Sequence, residues 1–172
     1  MNCYCGNQRA FEQCCELLIN GNILAETPEQ LMRSRYSAYA TNSANYIYQT
    51  YAKSSQDNQS IQEISTWAAQ TQWLKLTIKH SDKLENVDTN NLDTSNDATA
   101  SLPTVEFSAL YIHNKSFCLM SEKSRFIKEQ NLWRYLDGDV AEHIEISPPK
   151  RNEPCICQSD KKFKHCCALK LI

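Results

Sequence analysis

The sequence predicts an α+β protein in which helices come first and an antiparallel meander follows, with a small cysteine-rich unit at each end. Three observations carry this. Apolar residues recur at helical spacing between Thr27 and Thr71. The period drops to two after Trp73. The pattern C-x-C-x8-C-C occurs twice, at Cys3, Cys5, Cys14, Cys15 and at Cys155, Cys157, Cys166, Cys167. Helices followed by strands pack as one layer on one face of a sheet.

Residues 1–20 hold the first cysteine group. Gly6 and Asn7 both tolerate positive φ, so Cys3 to Asn7 reads as a tight turn that points two thiols at one place. Phe11 to Ile19 reads as a helix carrying Cys14 and Cys15, with Phe11, Leu18 and Ile19 free to pack on the main body. The central domain is expected over 25–140. Thr27 is the N-cap of its first helix, Pro28 takes the first helical position and Gln30 completes a capping box. Leu31, Met32, Tyr36, Tyr39 and Ala40 form its apolar stripe. Ser43 to Tyr51 predicts a second helix with Tyr46, Ile47 and Tyr51 inward, and Ser60 to Thr71 a third with Ile61, Ile64, Trp67 and Ala68 on one face.

From Trp73 to Lys79, Leu74, Leu76 and Ile78 alternate with Lys75, Thr77 and Lys79, as in a half-buried strand. Residues 81–103 are polar, with Asp82, Glu85, Asp88, Asp93 and Asp97 against Lys83 alone, and read as a long mobile hairpin loop. Strands resume at Thr104, with Val105, Phe107, Ala109 and Tyr111 facing one way. Asn114-Lys115 and Gln130-Asn131 are turns. Ser116–Ser121, Ser124–Lys128 and Leu132–Leu136 are further strand segments, and the sheet closes before Asp137-Gly138. Residues 139–153 read as a linker, with Pro148-Pro149 ahead of the second cysteine group in 150–172.

Hydrophobic residues make up 41% of the 172, enough for one ordinary core. No run of about 18 apolar residues exists, so no membrane span is expected. The N-terminus has no basic region followed by an apolar stretch, which predicts no secretory signal and a cytosolic protein. Nine cysteines in that reducing setting call for something other than disulfides. Two groups of four plus Cys118 fit two metal sites. The charge is uneven. Lys150, Arg151, Lys161, Lys162, Lys164 and Lys170 face only Glu153 and Asp160, so residues 150–172 are +4 within a chain of −2, and the remainder is −6. A basic tail on an acidic body suits an acidic partner, such as an acidic protein surface or RNA, or is simply a solvated tail.

Zinc takes four soft ligands in a tetrahedron. A C-x-C turn supplies two thiolates from one bend, and a C-C pair nine residues on supplies the others. Phe11 and Phe163 hold the same place in the two copies. Buried or redox-active thiols would explain the count of cysteines but not the repeated spacing. His165 could stand in for Cys167, since imidazole also binds zinc. Its counterpart in the first copy is Gln13, a poor ligand, which favours four thiolates in both sites. Such sites are closed, with no place for a reactive water. Each carries excess negative charge, which Lys161 and Lys162 would moderate in one copy and Arg9 in the other.

Both groups resemble the SEC-C motif, the zinc knuckle at the C-terminus of the SecA translocation ATPase. The C-terminal copy keeps Lys161, Lys162, Phe163 and Lys164 in the matching places, with Gln158 and Asp160 where the motif usually has glycine. The N-terminal copy keeps Gly6 and Phe11 but lacks the lysines. The resemblance implies two zinc ions and an interaction module, since the SecA knuckle binds the chaperone SecB and, by similarity, ribosomal surfaces. Leu31 to Tyr39, Val105-Glu106-Phe107, Glu122 to Phe126 and Trp133 to Gly138 resemble the YchJ family of uncharacterised bacterial proteins. That resemblance implies a cone-shaped α+β domain of the nuclear-transport-factor-two-like (cystatin-like) kind, with helices on a curved antiparallel sheet and a zinc knuckle at one or both ends.

Cone-shaped folds of this type often enclose a cavity. Arg33, Arg35, Tyr36, Glu122, Ser124, Arg125, Trp133 and Tyr135 are candidates to line one. An Arg paired with a carboxylate could clamp a ligand or act in acid–base chemistry. The plainer reading is a buried ion pair such as Arg35 with Glu122, docking helix on sheet. No Ser-His-Asp or Cys-His order stands out, His80, His113 and His143 are isolated, and Cys118 reads as a small core residue. Three functions follow. The first is a zinc-binding protein-interaction or accessory module. The second is an enzyme or small-molecule binder using the central pocket. The third is nucleic-acid binding by the lysine-bearing knuckle.

Overall fold

The computed structural model describes residues 2–82, 102–157 and 159–171. Among the described residues five α-helices come first: α1 (Cys15–Ile19), α2 (Pro28–Ala40), α3 (Ala44–Gln49), α4 (Lys53–Gln56) and α5 (Ile61–Gln70). Four strands follow: β1 (Thr71–Ser81), β2 (Thr104–His113), β3 (Ser116–Glu129) and β4 (Leu132–Ile146). They form one antiparallel sheet in the order β1-β2-β3-β4. Among the described residues no helix is long and apolar enough to cross a membrane.

Helix α2 starts as its sequence dictates. The Thr27 hydroxyl accepts from the Gln30 N–H at 3.1 Å, and Pro28 occupies the first turn, where its missing N–H costs nothing. The returning bond of the capping box is displaced: Gln30 Oε1 accepts from the N–H of Glu26 rather than that of Thr27, at 2.8 Å. The helix is buried well beyond one stripe. Leu31, Met32, Ser34, Arg35, Tyr36, Ser37 and Ala38 are all inside, so α2 has neighbours on several sides. In α5 Ile64 and Ala68 are buried, whereas Ile61 is exposed rather than part of the inward face.

Three sequence expectations for the sheet change. Leu74 does not share a face with Leu76 and Ile78. A register shift between Trp73 and Lys75 inserts one residue, so Trp73, Leu76 and Ile78 pack on the helical side while Leu74 packs on the opposite side with Ile112 and Phe117. Residues 139–146 are not linker but the second half of β4, which pairs with β3 as far as Ile146 opposite Phe117. β3 is one continuous strand rather than two. The two hairpins turn where expected: Asn114, Lys115, Gln130 and Asn131 all have positive φ, as two-residue loops of the type matching strand twist require. The expected loop at 81–103 lies outside the described residues between 83 and 101. At its base the Asp82 carboxylate accepts from the Thr104 N–H and hydroxyl, both at 2.8 Å. Burial opposes the charge of Asp82, but these bonds outweigh it and hold the carboxyl below its usual range.

Two register shifts in the β3–β4 ladder, after Ser121 and after Arg125, bend that end of the sheet around the helices. The main core, including Leu31, Met32, Tyr36, Leu76, Val105, Phe107 and Phe126, fills the concave side. Gly138 sits in β4 opposite Ser124, and the Glu122 side chain lies across it. A Cβ at Gly138 would fall 2.6 Å from Glu122 Cδ. Gly138→Ala should therefore displace Glu122 and lower stability by about 1–3 kcal/mol. Urea denaturation of this variant, of Glu122→Ala and of the double mutant will show coupling, the double mutant recovering most of the loss.

Candidate metal centres and the central cavity

The first cysteine group folds as two bends facing each other. Gly6, at φ 81°, lets the chain turn back so that its N–H reaches the Cys3 carbonyl at 3.2 Å. The expected helix over Phe11 to Ile19 is broken. A 3-10 turn, Phe11–Gln13, ends at Cys14 with φ −130° and ψ −108°, and α1 begins at Cys15. The break brings two successive thiols towards the same point.

The second group repeats this backbone, shifted by 152 residues from Cys3 to Cys155. Its 3-10 turn is Phe163–His165, and Cys166 has φ −138° and ψ −110°. Cys3 N–H bonds Arg9 O at 2.9 Å, and Cys155 N–H bonds Lys161 O at 2.8 Å. Cys14 to Phe11 and Cys166 to Phe163 are both 3.0 Å. The bridges Asn2–Ala10 and Pro154–Lys162 also correspond.

In each group the four sulfurs lie within 4.8 Å of one another. A tetrahedral thiolate site with metal–sulfur bonds near ~2.3 Å has edges of about 3.8 Å. Cys5–Cys14 and Cys14–Cys15 measure 3.9 and 4.0 Å. Cys155–Cys157, Cys157–Cys166 and Cys166–Cys167 measure 3.4, 3.5 and 4.0 Å. Donors and spacing thus suit one metal ion per group. His165 lies outside the second group and is exposed.

The thiols' acidity shows why such a cluster wants a cation. The neighbouring Cys15 and Cys5 thiols pull Cys3 far below its ordinary range, while Cys3 and then Cys5 push Cys15 far above it. The Cys15 contact lowers Cys5, but Cys3 and burial outweigh it and leave Cys5 at about 11. At the other end burial raises Cys155, yet the N–H groups of Cys157 and Cys167 and the adjacent thiols bring it to about 7. Burial and then Cys155 drive Cys167 well above the thiol range. In each cluster one thiol, Cys3 or Cys155, ionises more readily than usual, while Cys15 and Cys167 resist ionisation and gain most from a compensating cation.

The surroundings of the two clusters differ. Cys3, Cys5 and Cys15 are 5%, 0% and 1% exposed and belong to the main core. Helix α2 serves them from two positions one turn apart: Arg33 Nη1 donates to the Cys5 carbonyl at 2.9 Å, and buried Ser37 Oγ lies 3.7 Å from Cys3 Sγ. Arg33 was expected in the central pocket; it is instead a cation beside the first knuckle, lining a groove with Arg9. Neither Arg33's position nor Ser37 was read from the sequence, although their i, i+4 spacing was available. The second cluster packs on the convex face. Cys155, Phe163 and Cys167 join Ile112, Phe117 and the bulged-out Leu74, with the Phe117 and Phe163 rings 5.8 Å apart. Cys157 and Cys166 are only half-buried, and Ser159 Oγ lies 3.1 Å from Cys166 Sγ. Lys161 and Lys162 are exposed.

The expected pocket set divides. Arg35, Tyr36, Glu122 and Tyr135 do line one cavity of about 250 Å³, between α2 and the concave sheet. Tyr39, Tyr51, Trp67 and Trp73 complete its aromatic wall and were not foreseen there. Trp133 lies elsewhere, its Nε1 donating to the Glu26 carbonyl at 3.0 Å and its ring lining a separate cleft. Arg125 pairs with Asp137 and Asp139 outside the cavity. Ser124 is buried and donates to Glu122 Oε1 at 2.7 Å. The expected Arg35–Glu122 ion pair does not form. Arg35 Nη1 donates instead to Ile47 O at 2.8 Å and Thr50 Oγ1 at 2.6 Å, and its guanidinium lies 4.3 and 4.6 Å from the centres of the Tyr51 and Tyr135 rings.

Helices on a curved four-stranded sheet, with a four-cysteine knuckle at each end, define an NTF2-like domain carrying SEC-C-type units. The profile of the YchJ middle NTF2-like domain matches residues 27–138, and that of the SEC-C motif matches residues 151–169. The chain belongs to the YchJ family. A UPF0225 protein of Vibrio cholerae serotype O1 is 38% identical over 168 residues, covering 97% of this chain and 99% of its own. The solution structure of a SEC-C motif containing protein from Rhodopseudomonas palustris is similar, with a TM-score of 0.68 and 28% identity over 83% of this chain and all of that one. The crystal structure of a SEC-C motif containing protein from Psychrobacter arcticus gives a TM-score of 0.62 and 26% identity over 98% of this chain and 96% of that one.

Because the first cluster is part of the core and the second sits on the outside, their loss should differ. Cys5→Ser is expected to remove one metal equivalent and destabilise the whole domain by on the order of 3–5 kcal/mol. Cys157→Ser should remove one equivalent and leave the main thermal transition within about 2–4 °C of the parent. Metal analysis with thermal denaturation will distinguish the two.

Proposed function

We propose that the protein is a zinc-binding accessory protein that captures an acidic protein partner through its C-terminal knuckle. The observation that carries this reading is the contrast between two knuckles of the same backbone. One has its sulfurs in the core. The other is anchored by Cys155, Phe163 and Cys167 and turns Lys161, Lys162, Arg151 and Lys170 to solvent. Anchoring one side of a small unit while a charged side stays exposed suits recognition of a negatively charged surface. Zinc is the metal that four thiolates in a closed tetrahedron favour, and with every position taken by protein it serves structure rather than hydrolysis. Nine free cysteines are at home in a reducing compartment, which supports a cytosolic site of action. The SEC-C match makes a secretion chaperone such as SecB and the ribosomal surface the first partners to test.

Protein purified without added metal should carry about two zinc ions per chain. In an affinity capture from cell extract, intact protein should retain a partner that a form truncated before Glu153 loses. Lys161→Glu with Lys162→Glu should abolish capture and leave both zincs bound. Unchanged capture by that variant would remove the knuckle from the interaction. A captured species sensitive to nuclease, with binding that falls steeply with salt, would replace the protein partner by a nucleic acid.

A further inference from the structure

The central cavity holds two opposite charges that are not paired with each other. Arg35 is 4% exposed, and among the described residues no carboxylate lies within ion-pair distance of it. Its Nη1 is committed to Ile47 O and Thr50 Oγ1. Nε and Nη2 have no partner among the described residues, and that edge of a guanidinium can grip a carboxylate with two parallel hydrogen bonds. The Tyr51 and Tyr135 rings, perpendicular to each other and on adjoining sides, both turn a face to the guanidinium and hold it in place.

Glu122 shares the cavity and is held as firmly. Its Oε1 accepts from Ser124 Oγ at 2.7 Å and from Tyr135 Oη at 2.9 Å, and its stem rests on Gly138. Its Oε2 has no partner in the cavity, and no cation pairs with it among the described residues. The walls between these charges are aromatic. The volume of about 250 Å³ falls below the roughly 300–1,000 Å³ of sites for drug-sized molecules.

We propose that the cavity between α2 and the concave sheet is a binding site for a small zwitterion of the free amino acid class. The ligand's carboxylate lies on the open edge of Arg35 and its ammonium on Glu122, with an apolar side chain against Trp67, Trp73 and Tyr39. A purely anionic ligand leaves Glu122 facing it unpaired, and a purely cationic one leaves Arg35 so. The site shares no lining residue with either knuckle and does not depend on the partner proposed for the C-terminal one.

The test uses the full-length, metal-loaded protein, calorimetry and the fluorescence of Trp67 and Trp73. The common amino acids are screened first, and then L-phenylalanine is set beside 3-phenylpropionate, which lacks the ammonium, and phenethylamine, which lacks the carboxylate. The expected result is an amino acid that binds more tightly than about 1 mM, with each single-charge analogue weaker by about tenfold or more. Glu122→Gln, which keeps the hydrogen-bond acceptor, should bring the amino acid and its deaminated analogue to equal affinity without lowering the melting temperature. Arg35→Lys should weaken the carboxylate-bearing ligands alone. No binding by any amino acid at about 10 mM to folded protein would overturn the proposal. So would equal binding of the three probes, or an unaltered preference in Glu122→Gln.

Discussion

The layout of the helical layer depends on one buried cation. Arg35 leaves α2 and reaches the C-terminal end of α3, where it takes the Ile47 carbonyl and the Thr50 hydroxyl. Carbonyls at a helix end lack internal partners, so a guanidinium there satisfies them and meets the negative end of the helix dipole. The next residues run alongside the sheet: Ala52 N–H bonds Tyr135 O at 2.7 Å, and Tyr135 N–H bonds Thr50 O at 2.9 Å. Tyr51 and Tyr135, brought side by side by that pairing, then cover the guanidinium. A charge in this place would be costly without such contacts, and together they tie the α3 terminus and β4 to α2. The helix, the α3 terminus and the edge of β4 are therefore positioned together or not at all.

The two knuckles show how context decides what a repeated motif does. Their backbones agree closely at Cys14 and Cys166, with φ −130° against −138° and ψ −108° against −110°, so the shared spacing folds the same way in both places. What differs is the surface beneath. On the concave side three sulfurs replace aliphatic side chains in the core, and α2 supplies Arg33 and Ser37 to the polar atoms that come with them. On the convex side a single extra residue in β1 turns Leu74 outward and completes an apolar seat for Phe163. The second knuckle is anchored on that seat, which leaves Lys161 and Lys162 in water.

Much of this was legible. Positive-φ turns at Asn114-Lys115 and Gln130-Asn131, the cap at Thr27, the faces of β2 and the gathering of the cysteines into two groups of four all follow from residue type and spacing. The errors have physical causes. A bulge is a change of backbone register without a required residue, so strict alternation misassigned Leu74. The second half of β4 is largely exposed, with Val140 and Ile144 at 56% and 44%, and lacked the buried alternation that marks a strand. The segments Ser116–Ser121 and Ser124–Lys128 were read apart, with Glu122 and Lys123 between them, although β3 runs through both. In fact Glu122 faces the cavity, while Lys123 faces solvent and reaches Glu106 at 3.4 Å. Arg33 fell outside the pocket for a reason that helical geometry could have exposed. Residues two apart on a helix point roughly 200° apart, so Arg33 and Arg35 could not serve one site.

That same geometry makes α2 the link between the knuckle and the cavity. Arg33 and Ser37, one turn apart, hold the first cysteine cluster, while Arg35 and Tyr39, also one turn apart, line the cavity. A 13-residue helix with polar commitments on opposite sides cannot rotate to suit one without releasing the other. Helix propensity does not fix such a rotation; packing and hydrogen bonds do. With its metal in place, the first cluster would set the azimuth of α2 and hence the direction of the Arg35 fork. The sulfurs at the N-terminus and the charges in the cavity are therefore parts of one mechanical unit, whereas the second knuckle, seated across the sheet, is free to answer to its own surface.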